Sequence, residues 1–385
     1  MSGTALDTGD AALRLHFRPR ARILQLLGDE LIGSPRLAVF ELVKNAYDAD
    51  AEAVRVVLNN IERADASIVV EDDGDGMTLE TIRDIWLVPG HDHRARQRKA
   101  LKRTRLNRLP LGEKGLGRFA AHKLGNRIEL ITRAREQPEC VVSIDWAVLI
   151  RQPNLADAVV QVITRDPVVF TGAATGTRIT ISELRESKWS RGEVRRLQRQ
   201  ITSIASPFTD RSDQFETRLE APGYDDWLAD VPDVDILLRR APWRFHFRFV
   251  EGRFDWEYSF QGISGINIER RRIEKTHQSL LIPPERDLDE LGLDQGARRP
   301  RVRPVAADAS MGKGIGPVEG RFYVFDRDRA VLNRLGESQL IRNYLDENGG
   351  IRVYRDDVRV YNYGEPGDDW LGLDLRRVNG CGSFA

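Results

Sequence analysis

The sequence is poor in cysteine. It has two, Cys140 and Cys381, far apart and making no metal-type pair, which argues against a cysteine-based metal centre and fits a reducing cytoplasm. It has no long apolar run and no signal-peptide pattern, so no membrane span is expected. It has no excess of either charge, because 59 basic residues balance 59 acidic ones. No global attraction to nucleic acid or membrane follows, and any such binding must come from local patches. The pattern G-x-x-x-x-G-K-[ST] is absent, which excludes a Walker A phosphate loop. No internal repeat is visible.

What is present is length and core material. The chain has 385 residues, 41% of them hydrophobic, enough for two domains that each build a core. Residues 1–28 read as a basic arm, only partly ordered. Ser34 and Pro35 open a helix over about 34–50, with serine as cap and proline in the first turn. "AVRVVL" and "SIVVED" alternate as strands, and a short helix is expected from Thr78 to Trp86. Residues 90–111 are basic and apolar-poor, which predicts a mobile loop. "RIELITR", "CVVSIDW" and "GTRITIS" read as three more strands, followed by the helix "GEVRRLQRQITSIA". The mixture predicts an α+β sandwich with helices on one face of the sheet. A connector is expected near 221–235. The second half reads as antiparallel strands with one long helix at 328–346, and residues 283–316 as a loop.

Four short stretches carry chemistry. In the first helix Glu41, Asn45 and Asp48 form one polar stripe opposite Val39, Val43 and Ala46. A stripe of this kind faces water or a polar ligand. "EDDGDGM" sets Asp72 at a strand end with Gly74 and Gly76 spaced as D-x-G-x-G. Such a carboxylate can accept from an exocyclic amine, while the glycines let a flat ring approach the backbone. "GEKGLGR" places Gly112, Gly115 and Gly117 before a helix, where backbone N–H groups can meet phosphate oxygens. "ATGTRITI" adds the Thr177 hydroxyl at the start of a strand. Each stretch also has an ordinary reading as a turn or a solvated face.

In this order and spacing the four resemble the boxes of the GHKL ATPase superfamily, which includes gyrase B subunits, ninety-kilodalton heat-shock chaperones, histidine kinases and MutL. The resemblance spans roughly residues 28–205. It implies a Bergerat-type α/β sandwich over 29–222 that binds ATP and Mg²⁺. It implies Glu41 as the general base, Asn45 as the Mg²⁺ ligand, and Asp48 as a pocket-lining aspartate. Asp72 would read adenine, beside Gly74, Gly76 and Met77. Gly112, Lys114, Gly115, Leu116 and Gly117 would contact the phosphates. Thr177 would reach the Asp72–adenine network through water.

The ATPase boxes come first in the chain and no upstream helix bears a phospho-accepting histidine, which speaks against a histidine kinase. Residues 236–385 resemble the βαβ transducer domain of gyrase, MutL and MORC proteins, most of all prokaryotic MORC-like ATPases. In those relatives a transducer lysine reaches the γ-phosphate from beyond the segment that matches "WLGLD". No such lysine is found here, and Lys313 lies too early in the order. A fragment, or a short form that borrows groups from a partner, is expected, with weak turnover. The basic loop at 93–108 falls where the family has its ATP lid. The implied function is an ATPase whose ATP-dependent homodimer acts as a clamp on DNA or on an effector protein. The alternatives are a chaperone-type ATPase and a nucleotide-gated scaffold with little turnover.

Overall fold

The computed structural model describes residues 18–91 except 32, residues 93, 96–97, 100, 103–109 and 111, residues 120–204 except 187, and residues 215–229, 234–265, 269–279, 281–282, 305–306, 316–336, 338–348, 351–355, 358–360 and 363. The chain divides into two compact units, residues 1–231 with 353–361, and residues 232–352 with 362–385.

The first unit is built on a seven-stranded mixed sheet. Its strands are β1 (Ala53–Asn59), β2 (Ser67–Asp72), β3 (Gly125–Arg133), β4 (Glu139–Asp145), β5 (Gln161–Arg165), β6 (Gly176–Leu184) and β7 (Glu216–Glu220). They lie in the order β5-β4-β3-β6-β2-β1-β7, antiparallel throughout except for the parallel pair β1 and β7. One face carries Val54, Val56, Leu58, Ile68, Val70, Leu130 and Ile181, all buried. Period-two alternation sends these positions to the same side. They pack with residues of α1 (Ile23–Leu31), α2 (Pro35–Asp48), α4 (Ala120–Leu124), α5 (Trp146–Leu149) and α6 (Arg191–Thr202) in one continuous core. A shorter helix, α3 (Leu79–Thr81), runs on into a π-helical turn, Ile82–Trp86. The other face is polar at its centre, where Arg55 pairs with Glu220 at 2.6 Å and Arg178 with Glu71 at 2.5 Å. Helices on one face, charge on the other, is the α+β arrangement the alternation predicts.

Helix α2 starts where the sequence says it should. Ser34 is extended at φ −155° and its hydroxyl accepts from the Leu37 N–H at 3.2 Å, with Pro35 in the first turn. Ala38, Val39, Phe40, Leu42, Val43 and Ala46 form its buried stripe. Cutting Phe40 back to alanine would cost about 3–5 kcal/mol, the usual loss for a buried ring.

Several expectations need correction. The arm at 1–28 contains the start of α1, with Ala21 and Leu24 buried. β5 and β7 carry no apolar alternation that could reveal them, being edge strands with little to bury. The hairpin of β14 (Val353–Arg355) and β15 (Val358–Val360), read from the sequence with the second half, counts with the first unit. There the Arg359 N–H meets the Ile204 carbonyl at 2.9 Å and its guanidinium the Ser203 hydroxyl at 2.7 Å.

The second unit has a four-stranded sheet in the order β10-β9-β8-β13, with β8 (Trp243–Val250), β9 (Arg253–Phe260), β10 (Arg271–Ser279) and β13 (Val318–Val324), and a separate ladder of β11 (Leu281–Ile282) and β12 (Val305–Ala306). All its pairs are antiparallel. The single long helix expected at 328–346 is two, Arg329–Leu335 and Ser338–Asn348, broken at Gly336 with φ +75°. Leu332 from the first and Ile341 and Tyr344 from the second share a small core with Leu237.

Candidate functional site

On the helix-covered face of the first unit, the last apolar row runs Val70–Ile179–Leu130 across β2, β6 and β3. One row further the same face turns polar, with Asp72 opposite Thr177 and Thr177 opposite Thr132. An apolar core that ends in a carboxylate and two hydroxyls forms a polar floor at the end of the sheet.

Asp72 is held by backbone. The Gly74 N–H donates to its Oδ1 at 2.9 Å, and the Thr177 N–H also donates to the carboxylate. Burial pushes this carboxyl up from 3.8 to about 7, against the pull of those two N–H groups, with the neighbouring charges of Asp73 and Glu71 adding to the rise. The carboxylate is thus short of donors, which suits it to a ligand N–H.

Thr132 was invisible in the sequence. It is fully buried, and its hydroxyl donates to the Gly176 carbonyl at 2.9 Å. With its one hydrogen committed, it accepts from the Met77 N–H at 2.9 Å and from the Thr177 hydroxyl at 2.9 Å. One side chain therefore ties the D-x-G-x-G turn to the start of β6. The only hint in the sequence is a threonine in an otherwise apolar inward row of "RIELITR", and its meaning depends on the strand pairing.

The glycines answer to the protein's own backbone. Gly76 has φ +65°, and a Cβ there would overlap the Arg133 carbonyl. A Cβ on Gly74 would come within 2.6 Å of the Ala49 carbonyl. Asp75 N–H donates to that same carbonyl at 2.7 Å, which seats the turn on the C-terminal end of α2. Gly176, at φ +146°, meets the Asp72 carbonyl in the same way.

Arg133, the last residue of β3, locks the other side. Its guanidinium donates to the carbonyls of Phe170 at 2.7 Å, Gly172 at 2.6 Å and Ala174 at 3.2 Å, and through Nε to Gln137 at 3.0 Å. It fixes the loop before Thr175, whose hydroxyl reaches the Gly74 carbonyl at 2.8 Å.

The polar stripe of α2 is not uniform. Asn45 is exposed, while Glu41 is part-exposed and takes the Lys44 ammonium on both oxygens at 2.9 and 3.2 Å. Asp48 is buried and accepts the Leu111 N–H at 2.7 Å. Its Oδ1 thereby holds the chain that leads into the glycine-rich stretch. Gly112, Lys114, Gly115, Leu116 and Gly117 lie outside the described residues.

The helix ends in a Schellman-type turn, with Ala51 N–H to Ala46 O at 3.1 Å and Asp50 N–H to Tyr47 O at 3.2 Å. That motif puts Asp50 at φ +57°, where glycine is usual. The carboxylate explains the choice, since its Oδ2 accepts the Leu106 N–H at 3.0 Å. Arg108 completes the anchor. It is 9% exposed and donates to the Ala51 carbonyl at 2.6 Å. Its guanidinium lies 4.4 Å from the Tyr47 ring centroid and 5.5 Å from that of Phe215. The expectation of a loop with little to hold it down over 93–108 is therefore corrected for its last part. Residues 104–109 and 111 are pinned to the end of α2 by Asp48, Asp50 and Arg108, contacts that no apolar pattern announces.

A floor of carboxylate and hydroxyls, with glycine turns fitted to backbone, is seated on the C-terminal end of α2, the helix that carries Glu41, Asn45 and Asp48. Residues 33–171 match the family model of the histidine kinase-, DNA gyrase B- and HSP90-like ATPases. The match supports a GHKL-type ATPase domain, and with it ATP binding and hydrolysis in general. No curated protein matches the chain. Among the described residues no helix is long and apolar enough to cross a membrane.

Proposed function

We propose that the first unit binds ATP with its adenine amine on Asp72 and hydrolyses it with Mg²⁺. We further propose that ATP closes two copies into a dimer that clamps DNA or an effector protein. The observation that supports the reading best is Asp72 itself: a desolvated carboxylate, fixed by two N–H groups, at the open end of the core face. Gly74, Gly76 and Met77 flank it, and Thr177 joins the same network through water. Glu41 accepts the proton of a water whose oxygen bonds to the γ-phosphorus while the bridging oxygen leaves with ADP. Lys44 holds the Glu41 carboxylate in one orientation until then.

Asn45 would hold Mg²⁺, an ion that needs only one or two protein ligands, through its side-chain oxygen. When bound, the ion neutralises phosphate charge. Asp48 keeps the approach to the glycine-rich stretch in place, and Gly112, Lys114, Gly115, Leu116 and Gly117 are assigned to phosphates from the resemblance. The second unit is read as a transducer of the MORC-like kind.

Titration calorimetry with ATP, ADP and GTP in the presence of Mg²⁺, and phosphate release on the same sample, test the site. Binding of ATP over GTP is expected, and equal affinity for both bases rejects adenine reading by Asp72. Sedimentation without nucleotide, with ADP and with a non-hydrolysable ATP analogue tests the clamp. One mass in all three states rejects it.

A further inference from the structure

The sheet of the second unit has two unlike faces. Cross-strand register places Phe245 opposite Tyr258 and Phe322, and Phe247 opposite Trp256 and Gly320. Paired positions share a face, so the aromatic residues of β8, β9 and β13, save Tyr323, stand on one side. Lys275 pairs with Trp256 and Arg271 with Phe260, which adds two cations from β10 to that side. Every acidic residue of the four strands, Asp255, Glu257, Glu274 and Glu319, is on the other side by the same register. There the acids meet bases: His246 and Arg321 with Glu319 at 2.9 and 2.8 Å, and Arg272 with Glu257 at 3.0 Å. That face sets five arginines and a histidine against the four acids. Among the described strand residues the aromatic face carries exposed cations and no carboxylate.

At one end of this face Phe260 packs with Ile263 and Val331 in a buried cluster. Trp243 and Tyr258 pack against that cluster. Among the described residues Phe245, Phe247, Phe254, Trp256 and Phe322 join no buried cluster, and Phe322 remains 39% exposed. The rings there are tilted or stacked, not edge to face, the steepest being Phe245 and Phe322, 6.1 Å apart at 50°. Phe247 and Phe322 are 6.2 Å apart at 28°, Phe247 and Phe254 5.3 Å at 34°, and Phe245 and Trp256 5.8 Å at 37°. Gly320 makes this possible, because any Cβ there would overlap the Phe247 ring. The result is a tiled aromatic surface with positive charge at its β10 edge.

We propose that this face binds single-stranded nucleic acid, with bases stacked on Phe245, Phe247, Trp256 and Phe322 and phosphates on Arg271 and Lys275. Unpaired bases offer π-faces of any sequence, and stacking them on sheet aromatics beside backbone-tracking cations is the chemistry this surface can supply. Duplex hides its bases and meets only the cations. An acidic protein segment would use the cations and leave the rings without a matched partner. The proposal does not depend on ATP binding in the first unit.

The test is fluorescence anisotropy of labelled oligo-dT, oligo-rU and a duplex with the full chain, without nucleotide. Both single strands are expected to bind more tightly than the duplex and to quench tryptophan emission. Phe322→Ala should weaken binding about tenfold, in the range of a lost base stack. Arg271→Glu with Lys275→Glu lies on an exposed edge and leaves the core intact. It should weaken binding and reduce the salt slope by about 0.7 for each cation removed. Thermal melts of both variants separate lost contacts from lost fold. Three results overturn the proposal: no binding of either single strand, binding that these folded variants leave unchanged, or a dimer in sedimentation that Phe322→Ala dissolves while oligonucleotide is ignored. The last would make the face an interface between copies.

Discussion

Replacing Asp72 with asparagine should move stability and ligand affinity in opposite directions. The carboxyl ionises at about 7 in the fold against 3.8 for the ordinary group. Between those values the folded protein holds a proton that the unfolded chain has released. The contribution of this group is therefore fully present below about pH 4 and falls as pH rises to about 7, then stays level. At 1.36 kcal/mol per pH unit the ionised form costs the empty protein at most about 4 kcal/mol. Asparagine removes that charge but keeps only one oxygen for the two N–H donors, a loss of about 1 kcal/mol.

The net expectation at pH 8 is a gain of about 1–3 kcal/mol, or about 2–4 °C in Tm for each kcal/mol in a domain of this size. At pH 5 only about 1.6 kcal/mol of that cost has accumulated, so the net gain should shrink to below about 1 kcal/mol. ATP affinity should fall instead, because an amide N–H₂ faces the adenine amine. Losing a charged hydrogen bond costs about 1.5–3 kcal/mol, roughly tenfold or more in Kd. Melting curves at the two pH values and calorimetric titration with ATP read both effects. Unchanged ATP affinity would falsify the assignment of Asp72 to adenine. Equal destabilisation at both pH values would show that the carboxylate is a structural acceptor with no desolvation cost.

Other outcomes follow from single contacts. Glu41→Ala should keep ATP binding and lose turnover by roughly 10²–10⁴-fold, measured as phosphate release from a sample of known occupancy; a loss of binding instead makes Glu41 structural. Gly76→Ala combines φ +65° with a clash against the Arg133 carbonyl, so denaturant melts should show a loss of several kcal/mol, about 3 or more, by the measure of strained or overpacked sites. Limited trypsin digestion of the empty protein should cut at Arg96 well before Arg108, whose side chain is buried; early cleavage at Arg108 would contradict the anchor. Asp50→Gly should relieve the left-handed backbone yet speed cleavage near Arg105, because the Leu106 N–H loses its acceptor. An unchanged digestion pattern would show that Asp50 does not hold this segment.

The sequence by itself determined what depends on short range. Helix α2 could be placed because Ser34, Pro35 and the buried stripe through Phe40 and Val43 act within a few turns. Strand-end Asp72 and its glycines were legible because their spacing is local, and the polar stripe of Glu41 and Asn45 because helical periodicity is. The order of the boxes then pointed to a nucleotide-binding ATPase domain, which the family match over 33–171 supports. Tertiary structure decided what pairing and burial create. Thr132 matters only because β3 lies beside β6 in a register that sets it against Thr177. Asp48 looked like one more member of a polar stripe until Leu111 returned to meet it. Arg108 read as one basic residue among many, and its burial between Tyr47 and Phe215 needs three segments brought together from across the chain. The aromatic face of the second unit was present in "RFHFRFV" and "RFDWEYSF" as alternation. That its acids all turn the other way is a property of register between strands, which one strand alone does not contain.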